Sequence, residues 1–286
     1  MVQSSNFYRV LISRFSPQEY KLLFCISVIY GLACTTQIAF PILFKEAKLF
    51  CSNQADLSSG IHSCYESEAC SGNSSFFIDK KTSPHSLSTQ FDLICDSKSE
   101  QRKSLSIIFG VSMFGVLFNL LTILKPVWRK SFYSFCGIVI GASQLFSVYF
   151  SNNLMLISFF LGVASLGYIL ILTYSFLLIN DLFEDDTAKV SFGVLNILWG
   201  ALGVIYSLLG MWTNADWKSL NIVTGIPIII ASVILNMLDE DQEADFIVPQ
   251  SPELPQIEVY NKSHFARENI HFLERKQLES YERSLQ

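Results

Sequence analysis

Charge is what this chain has least of. Of its 286 residues only 16% are charged, while 50% are apolar and 14% aromatic, and the mean hydropathy is +0.37. A soluble globular domain carries about 25% charged residues, so the deficit points to lipid as the solvent. The formal net charge is −5, and no basic stripe exists to neutralise phosphates, which excludes nucleic acid as a partner. Histidine is scarce as well. His62, His85, His264 and His271 are the whole set, and none has a partner at metal-ligand spacing. The phosphate-loop pattern GxxxxGK(S/T) and the patterns HExxH, GxSxG and CxxC are all missing, so nothing points to an enzyme, a metal or a cofactor.

Where charge disappears entirely, spans appear. Leu22 to Phe44 gives 23 residues without a charge, enough to cross a ~30 Å hydrocarbon core as a helix. It is too long for a signal-peptide core and has no small-x-small site after it. Pro41 is expected to kink or end it. Five more spans follow: Ser104 to Leu124, Ser131 to Phe150, Leu154 to Ile179, Val190 to Trp212 and Ser219 to Leu238. None contains Asp, Glu, Lys, Arg or His. Period-two alternation is missing, which excludes a membrane β-barrel. The expected fold is an all-α membrane protein, a six-transmembrane-helix bundle over residues 22–238.

One long polar stretch interrupts the spans, the loop 45–103. It holds four of the seven cysteines, Cys51, Cys64, Cys70 and Cys95, and the sequon Asn73-Ser74-Ser75. A polar, cysteine-bearing, glycosylatable loop belongs in an oxidising lumenal or extracellular space. Four cysteines allow three pairings, and all three stay open at this point. Cys25, Cys34 and Cys136 lie in spans and are expected to be free.

The remaining connections set the topology. Lys125 to Lys130 holds three basic residues in six, whereas Ser151 to Asn153 holds none. Counting positive charge inside places both termini in the cytosol and the cysteine loop outside. The loop's seven basic residues are offset by eight acids, and loops near 60 residues weigh less in that count. Residues 1–21 read as a cytosolic N-terminal segment. The tail 239–286 reads as cytosolic and partly disordered: Pro249, Pro252 and Pro255 keep it extended, and 263–285 could form an amphipathic helix. Its sequon at Asn261 should then stay unmodified. The membrane implied is the plasma membrane or another membrane of the secretory pathway.

Polar residues inside the spans are uncharged. Gln37, Asn119, Gln144, Tyr168, Tyr174, Asn180, Asn196 and Tyr206 can each line a polar cavity or bond across helices for about 0.6 kcal/mol. Gln37, Asn196, Tyr206 and Tyr174 are the cavity candidates. Gly162 with Gly167, and Gly193 with Gly200, Gly203 and Gly210, allow close helix crossings. A proton-coupled carrier normally needs a carboxylate or histidine in the membrane to titrate, and these spans offer none. That leaves facilitated diffusion, binding or no transport.

The order of parts resembles the organic-ion (cation, anion and zwitterion) transporters of the major facilitator superfamily, in particular their N-terminal half. Their large loop ends in a motif like T-E-F/W-D/N-L-V/I-C, and Thr89-Gln90-Phe91-Asp92-Leu93-Ile94-Cys95 is similar at all but one position. Phe159-x-Leu161-Gly162 through Gly167-Tyr168 is a further match. Asp216-Trp217-Lys218-Ser219-Leu220 followed by Pro227 is similar to the family's W-R-x-L…P. The resemblance covers roughly residues 16 to 240. There are departures too. Of a motif like G-x-L-x-D-R-x-G-R-R, residues 119–130 keep only Arg129 and Lys130, and Ile123 lies about where the Asp would be. Ser158 stands where the family has an Arg and Asn180 where it has a Glu. Asp239-Glu240-Asp241 replaces P-E-S-P-R-W. The family's cytosolic charge network is therefore expected to be lost.

The resemblance implies a transporter of small organic ions, working by uniport and needing a second six-helix bundle, because such carriers bind substrate between two bundles. That bundle would belong to a longer form of this chain, a second copy or another membrane protein. The alternative is a non-transporting derived half-carrier that serves as a structural or accessory membrane subunit. An unrelated multispan adhesion protein fits the six spans and the loop motif poorly.

Overall fold

A computed structural model describes residues 15–53, 62–70, 74–121 and 124–238. The expectations for residues 1–14, Asn73, Ile123 and the tail 239–286, with its helix 263–285 and Asn261, fall outside the described residues. In chain order come α1 (Pro17–Leu43), β1 (Leu49–Asn53), β2 (His62–Cys64), the single turn α2 (Glu66–Ala69), β3 (Ser74–Ile78), the single turn α3 (Leu87–Gln90) and a 3-10 turn (Cys95–Ser97). Then follow α4 (Lys98–Leu121), α5 (Pro126–Tyr149), α6 (Leu154–Leu182), α7 (Asp185–Trp212) and α8 (Trp217–Met237). Six of these, α1 and α4 to α8, are long and apolar enough to cross a membrane. The chain is an all-α, multi-pass integral membrane protein.

Helix ends are set by caps rather than by hydropathy. α1 starts at Pro17, five residues before the apolar span, because Ser16 and Glu19 form a capping box. Ser16 Oγ accepts from the Glu19 amide at 3.2 Å, and Glu19 accepts from the Ser16 amide at 2.6 Å. Pro126 opens α5 at a first-turn position, where its missing N–H costs nothing. Asn153 and Asp216 cap α6 and α8 through their side chains. α1 runs through Pro41 and stops two residues later at Leu43, so the proline marks its end.

The bundle has a loop end, where α1 finishes and α4 begins, and a far end. Its most extensive helix pairs are α4–α6, α5–α6, α5–α8, α1–α7, α1–α8 and α1–α6. Exchanging α1 with α6, α4 with α7 and α5 with α8 maps this set onto itself. Exchanged helices run in opposite directions, because three chain reversals separate them. The packing partners of the first three long helices are thus matched, in reversed direction, by those of the last three. α1 is its most enclosed helix, with 67% of its apolar window buried, against 22% for α4 and 17% for α7.

In lipid, apolar side chains gain nothing by leaving one apolar medium for another, so close approach and polar contacts hold helices together. The α5–α8 pair maps onto itself, and its backbones approach closely at two glycines. A Cβ on Gly141 would come within 2.5 Å of the Gly225 carbonyl oxygen, and one on Gly225 within 3.0 Å of the Gly141 carbonyl. Around that pair Ser134 donates to the Ser232 carbonyl at 2.6 Å. Thr224 donates to Gln144 Oε1 at 3.1 Å, and Asn221 to Ser147 Oγ at 3.2 Å. Asn119 joins α4 to α6 by donating to Thr173 Oγ1 at 2.9 Å. Asn119 and Gln144 therefore bond across helices. Gly203 and Gly210 face Ile38 and Ile42 of α1, whereas Gly193 and Gly200 meet nothing within 4 Å.

The loop 45–103 contains a three-stranded antiparallel sheet of order β2-β1-β3, pairing Cys51 with His62 and with Phe76. Sequence reading gave no sign of it. The strands are short, and only Leu49 and Cys51 of β1 turn into a small core with Ala69.

Candidate functional site: the loop clamp and the helix ends

The four cavity candidates do not converge. Tyr206 is buried in the cluster of Ala39, Leu43 and Trp217. Tyr174 is buried with its ring edge-on to Phe132, the centroids 4.8 Å apart. Both tyrosines are packed into apolar clusters at helix interfaces. Asn196 is exposed and donates to the Phe192 carbonyl of its own helix at 2.9 Å. Gln37 is half-buried on α1. Neither cavity described below is lined by any of the four.

The cysteines resolve to Cys51–Cys64 and Cys70–Cys95. The first bond ties β1 to β2, and the second ties α2 to the 3-10 turn that leads into α4. Cys25, Cys34 and Cys136 are free and buried. Lys98 pairs with Glu66, which also accepts from the Cys95 amide at 3.4 Å, so the second disulfide sits in a charged brace.

A clamp fastens this loop to the helix ends. The Ser86 hydroxyl donates to the Lys45 carbonyl just past α1, at 2.6 Å. The Gln90 amide donates to the Ser151 carbonyl in the α5–α6 turn, and its carbonyl accepts from Trp217 Nε1 at 3.0 Å. The backbone joins in: the His85 amide donates to Asn214 O at 2.9 Å, and the Asn214 side chain donates to Ser83 O at 3.0 Å. Asn214 and Ala215 hold φ of 52° and 59°. Left-handed backbone at an alanine costs about 1–2 kcal/mol and is held by these contacts. The Thr89–Cys95 and Asp216–Leu220 motifs, separate in sequence, thus meet at Gln90 and Trp217.

No family model matches the chain, and no curated protein matches it. The geometry of this chain alone must carry its function.

Beside the clamp lies a polar pocket of about 570 Å³, whose walls include Lys80, His85, Thr89, Gln90, Asp216 and Lys218. Asp216 is occupied as the cap of α8, accepting from the Lys218 amide at 3.3 Å and from the Ser219 hydroxyl. The Lys218 ammonium lies 5.8 Å from the centre of the Trp217 ring, a cation–π contact. A second, apolar groove of about 340 Å³ runs between α1 and α7, past Ile38, Trp199, Gly203 and Ser207.

At the far end Arg129 makes one ion pair, with Asp181. Arg129, in the first turn of α5, donates from one guanidinium nitrogen to both oxygens of Asp181 in the last turn of α6, each at 2.8 Å. Its Nε donates to the Leu124 carbonyl at 3.0 Å. The two side chains are only 13% and 24% exposed. Lys130 donates to the Leu238 carbonyl at 2.6 Å, a cation closing the C-terminus of α8. Arg129 and Lys130 therefore lie on a helix rather than in a loop, and each ties α5 to another helix. Asp181 was missed because the family pattern drew attention to Asn180, one residue earlier. A carboxylate immediately after an apolar span, opposite a basic turn, was the available signal.

Proposed function

We propose that this bundle is one half of a facilitator-type carrier for small organic ions, working by uniport with a second six-helix bundle that is a copy of itself or another membrane protein. The observation that carries the reading is the inverted exchange of packing partners between α1, α4, α5 and α6, α7, α8. Two nested inverted three-helix repeats are how such halves are built. The meeting of the Thr89–Cys95 and Asp216–Leu220 motifs supports it, since these are the segments that resemble the family. The loop, with two disulfides, faces the outside or a lumen, and both termini face the cytosol, in the plasma membrane or another secretory-pathway membrane. At the cytosolic end, Arg129–Asp181 acts as a latch between α5 and α6. No carboxylate or histidine lies in the middle of the described helices, so uptake is independent of a proton gradient.

A second reading, a non-transporting accessory membrane subunit, is favoured by the dispersal of Gln37, Tyr174, Asn196 and Tyr206. One experiment separates the two. Mass measurement in mild detergent should give an assembly of two bundles, and reconstituted vesicles should show saturable uptake from a panel of organic cations and anions, unchanged by an imposed pH gradient. A stable monomer that moves none of them would leave only the accessory reading.

A further inference from the structure

We propose that Ser251 is a phosphorylation site for a proline-directed serine/threonine protein kinase, resting on the cytosolic placement of the tail in the carrier reading. The chain has eight prolines, and three follow a serine: Ser16-Pro17, Ser83-Pro84 and Ser251-Pro252. A proline has no amide hydrogen, so a kinase whose groove bonds the amide after the acceptor serine refuses all three. Only a kinase with an apolar pocket at that position accepts them. The fold then removes two. Ser83 is 0% exposed, its hydroxyl oxygen accepts from the Lys48 amide at 2.9 Å, and its disulfide-bonded loop lies away from cytosolic ATP. Ser16 is exposed, but it caps α1, and the chain is helical from Pro17 onward. A kinase groove takes its acceptor in an extended segment, and α1 cannot uncoil there without losing its capping box.

Ser251 has the sequence chemistry the other two lack. Pro249, Pro252 and Pro255 recur every three residues, the repeat of a polyproline II helix. A residue just before a proline is steered to extended backbone, and Ser251 is such a residue. No lysine or arginine lies within ten residues of it, and Leu254 stands three residues after it. Kinases that demand a basic neighbour, or an acid at that third position, are thereby excluded. Pro249 on one side and Pro252 on the other suit the mitogen-activated class. Distance is no obstacle. Lys130 holds the Leu238 carbonyl, and the thirteen residues from there to Ser251 reach up to about 45 Å, against a headgroup layer of roughly 5–8 Å. In the transfer, Ser251 Oγ attacks the γ-phosphorus of ATP and the bond to the β,γ-bridging oxygen breaks. ADP leaves with the electron pair, and the hydroxyl proton passes to the kinase's catalytic aspartate.

The test uses the full chain inserted into sealed microsomes, whose outer face is the cytosolic one. They are incubated with ATP and a purified mitogen-activated protein kinase, then digested for phosphopeptide mass spectrometry, beside a sample opened with detergent. Phosphate is expected on Ser251 in both, with Ser16 and Ser83 bare in the sealed sample. Pro252→Ala should slow the modification about ten-fold or more, the scale on which one apolar pocket contact discriminates, and Ser251→Ala should abolish it. Disulfide pairing read from the same digests checks that each variant has folded. Ser251 unmodified in both samples, or modified as fast in Pro252→Ala, would overturn the site. Phosphate on Ser16 in preference would overturn the exclusion by the helix cap, and with it the choice of Ser251. Modification only after detergent would overturn the cytosolic tail, the part shared with the carrier reading, while the fit of the segment to the kinase stood.

Discussion

Adding one methyl group to Gly141 tests the close approach of α5 and α8. In Gly141→Ala the new Cβ would lie 2.5 Å from the Gly225 carbonyl oxygen and 2.6 Å from Ile229 Cγ1. Carbon–oxygen contacts between helices settle at about 3.3–3.6 Å, and a helix carbonyl cannot swing aside, so α5 and α8 must part by nearly an ångström. Such overpacking costs about 1–3 kcal/mol. The parting also strains the Ser134–Ser232 and Thr224–Gln144 bonds across the same seam, each about 0.6 kcal/mol. The expected loss is about 2 kcal/mol. Gly110→Ala is the control, because that glycine is exposed with nothing within 4 Å. It should be neutral, or gain up to about 1 kcal/mol of helix propensity. Gly225→Ala meets the Gly141 carbonyl at 3.0 Å and should cost less. The double variant should cost less than the sum of the two, since both push on one contact. Unfolding by dodecyl sulfate in mixed micelles, followed by far-ultraviolet circular dichroism, reads the difference. A Gly141→Ala protein as stable as Gly110→Ala would refute the close α5–α8 crossing and the exchange of helix partners built on it.

Other expectations are as direct. A double-mutant cycle on Arg129→Ala and Asp181→Ala should give a coupling of about 1–2 kcal/mol, between the values for exposed and buried pairs; additive losses would remove the latch. Non-reducing digestion and mass spectrometry should find Cys51 joined to Cys64 and Cys70 to Cys95, with Cys25, Cys34 and Cys136 alkylated only after denaturation. Glycosylation mapping should modify Asn73 and spare Asn261; modification of Asn261 would reverse the assigned topology. The carboxyl of Asp79 is held below its ordinary value by the Thr82 hydroxyl, then by the Lys81 amide. Its contribution is therefore present above the unfolded pKa of about 3.9 and is lost as pH falls through the lower folded value. Titration of Asp79 by carboxyl-carbon NMR should show the depression, and Thr82→Val should relieve most of it.

Much of the fold was legible because apolar length reads directly as a crossing helix. Charge-free runs located all six, and α6 opened at the expected Leu154. Ends set by side-chain chemistry were not. Lys98 and Pro126 lie outside the apolar runs yet belong to helices. The pairing of the loop cysteines depends on the register of β1 against β2, which strands this short do not announce. The site was less legible still. Polarity singled out Tyr174 and Tyr206, but polarity gives no direction, and both point into packed seams. The polar residues that do line a pocket come from the loop and the start of α8, far apart in the chain, and only the fold brings Lys80 and Lys218 into one lining.

The clamp at Gln90 also orders events in time. Its partner Trp217 lies 127 positions further on, so the loop is synthesised, and its strands and disulfides can form, while the last helix is still inside the ribosome. N-terminal parts fold first during synthesis, but this loop cannot seat until α8 has entered the bilayer. Until then the Gln90 side-chain carbonyl and the Ser83 backbone carbonyl wait for their partners Trp217 and Asn214. Seating of the loop is therefore a completion signal: a nascent chain stopped before Trp217 would carry a finished sheet on an unfastened strap, open to protease, and only the whole bundle would close it.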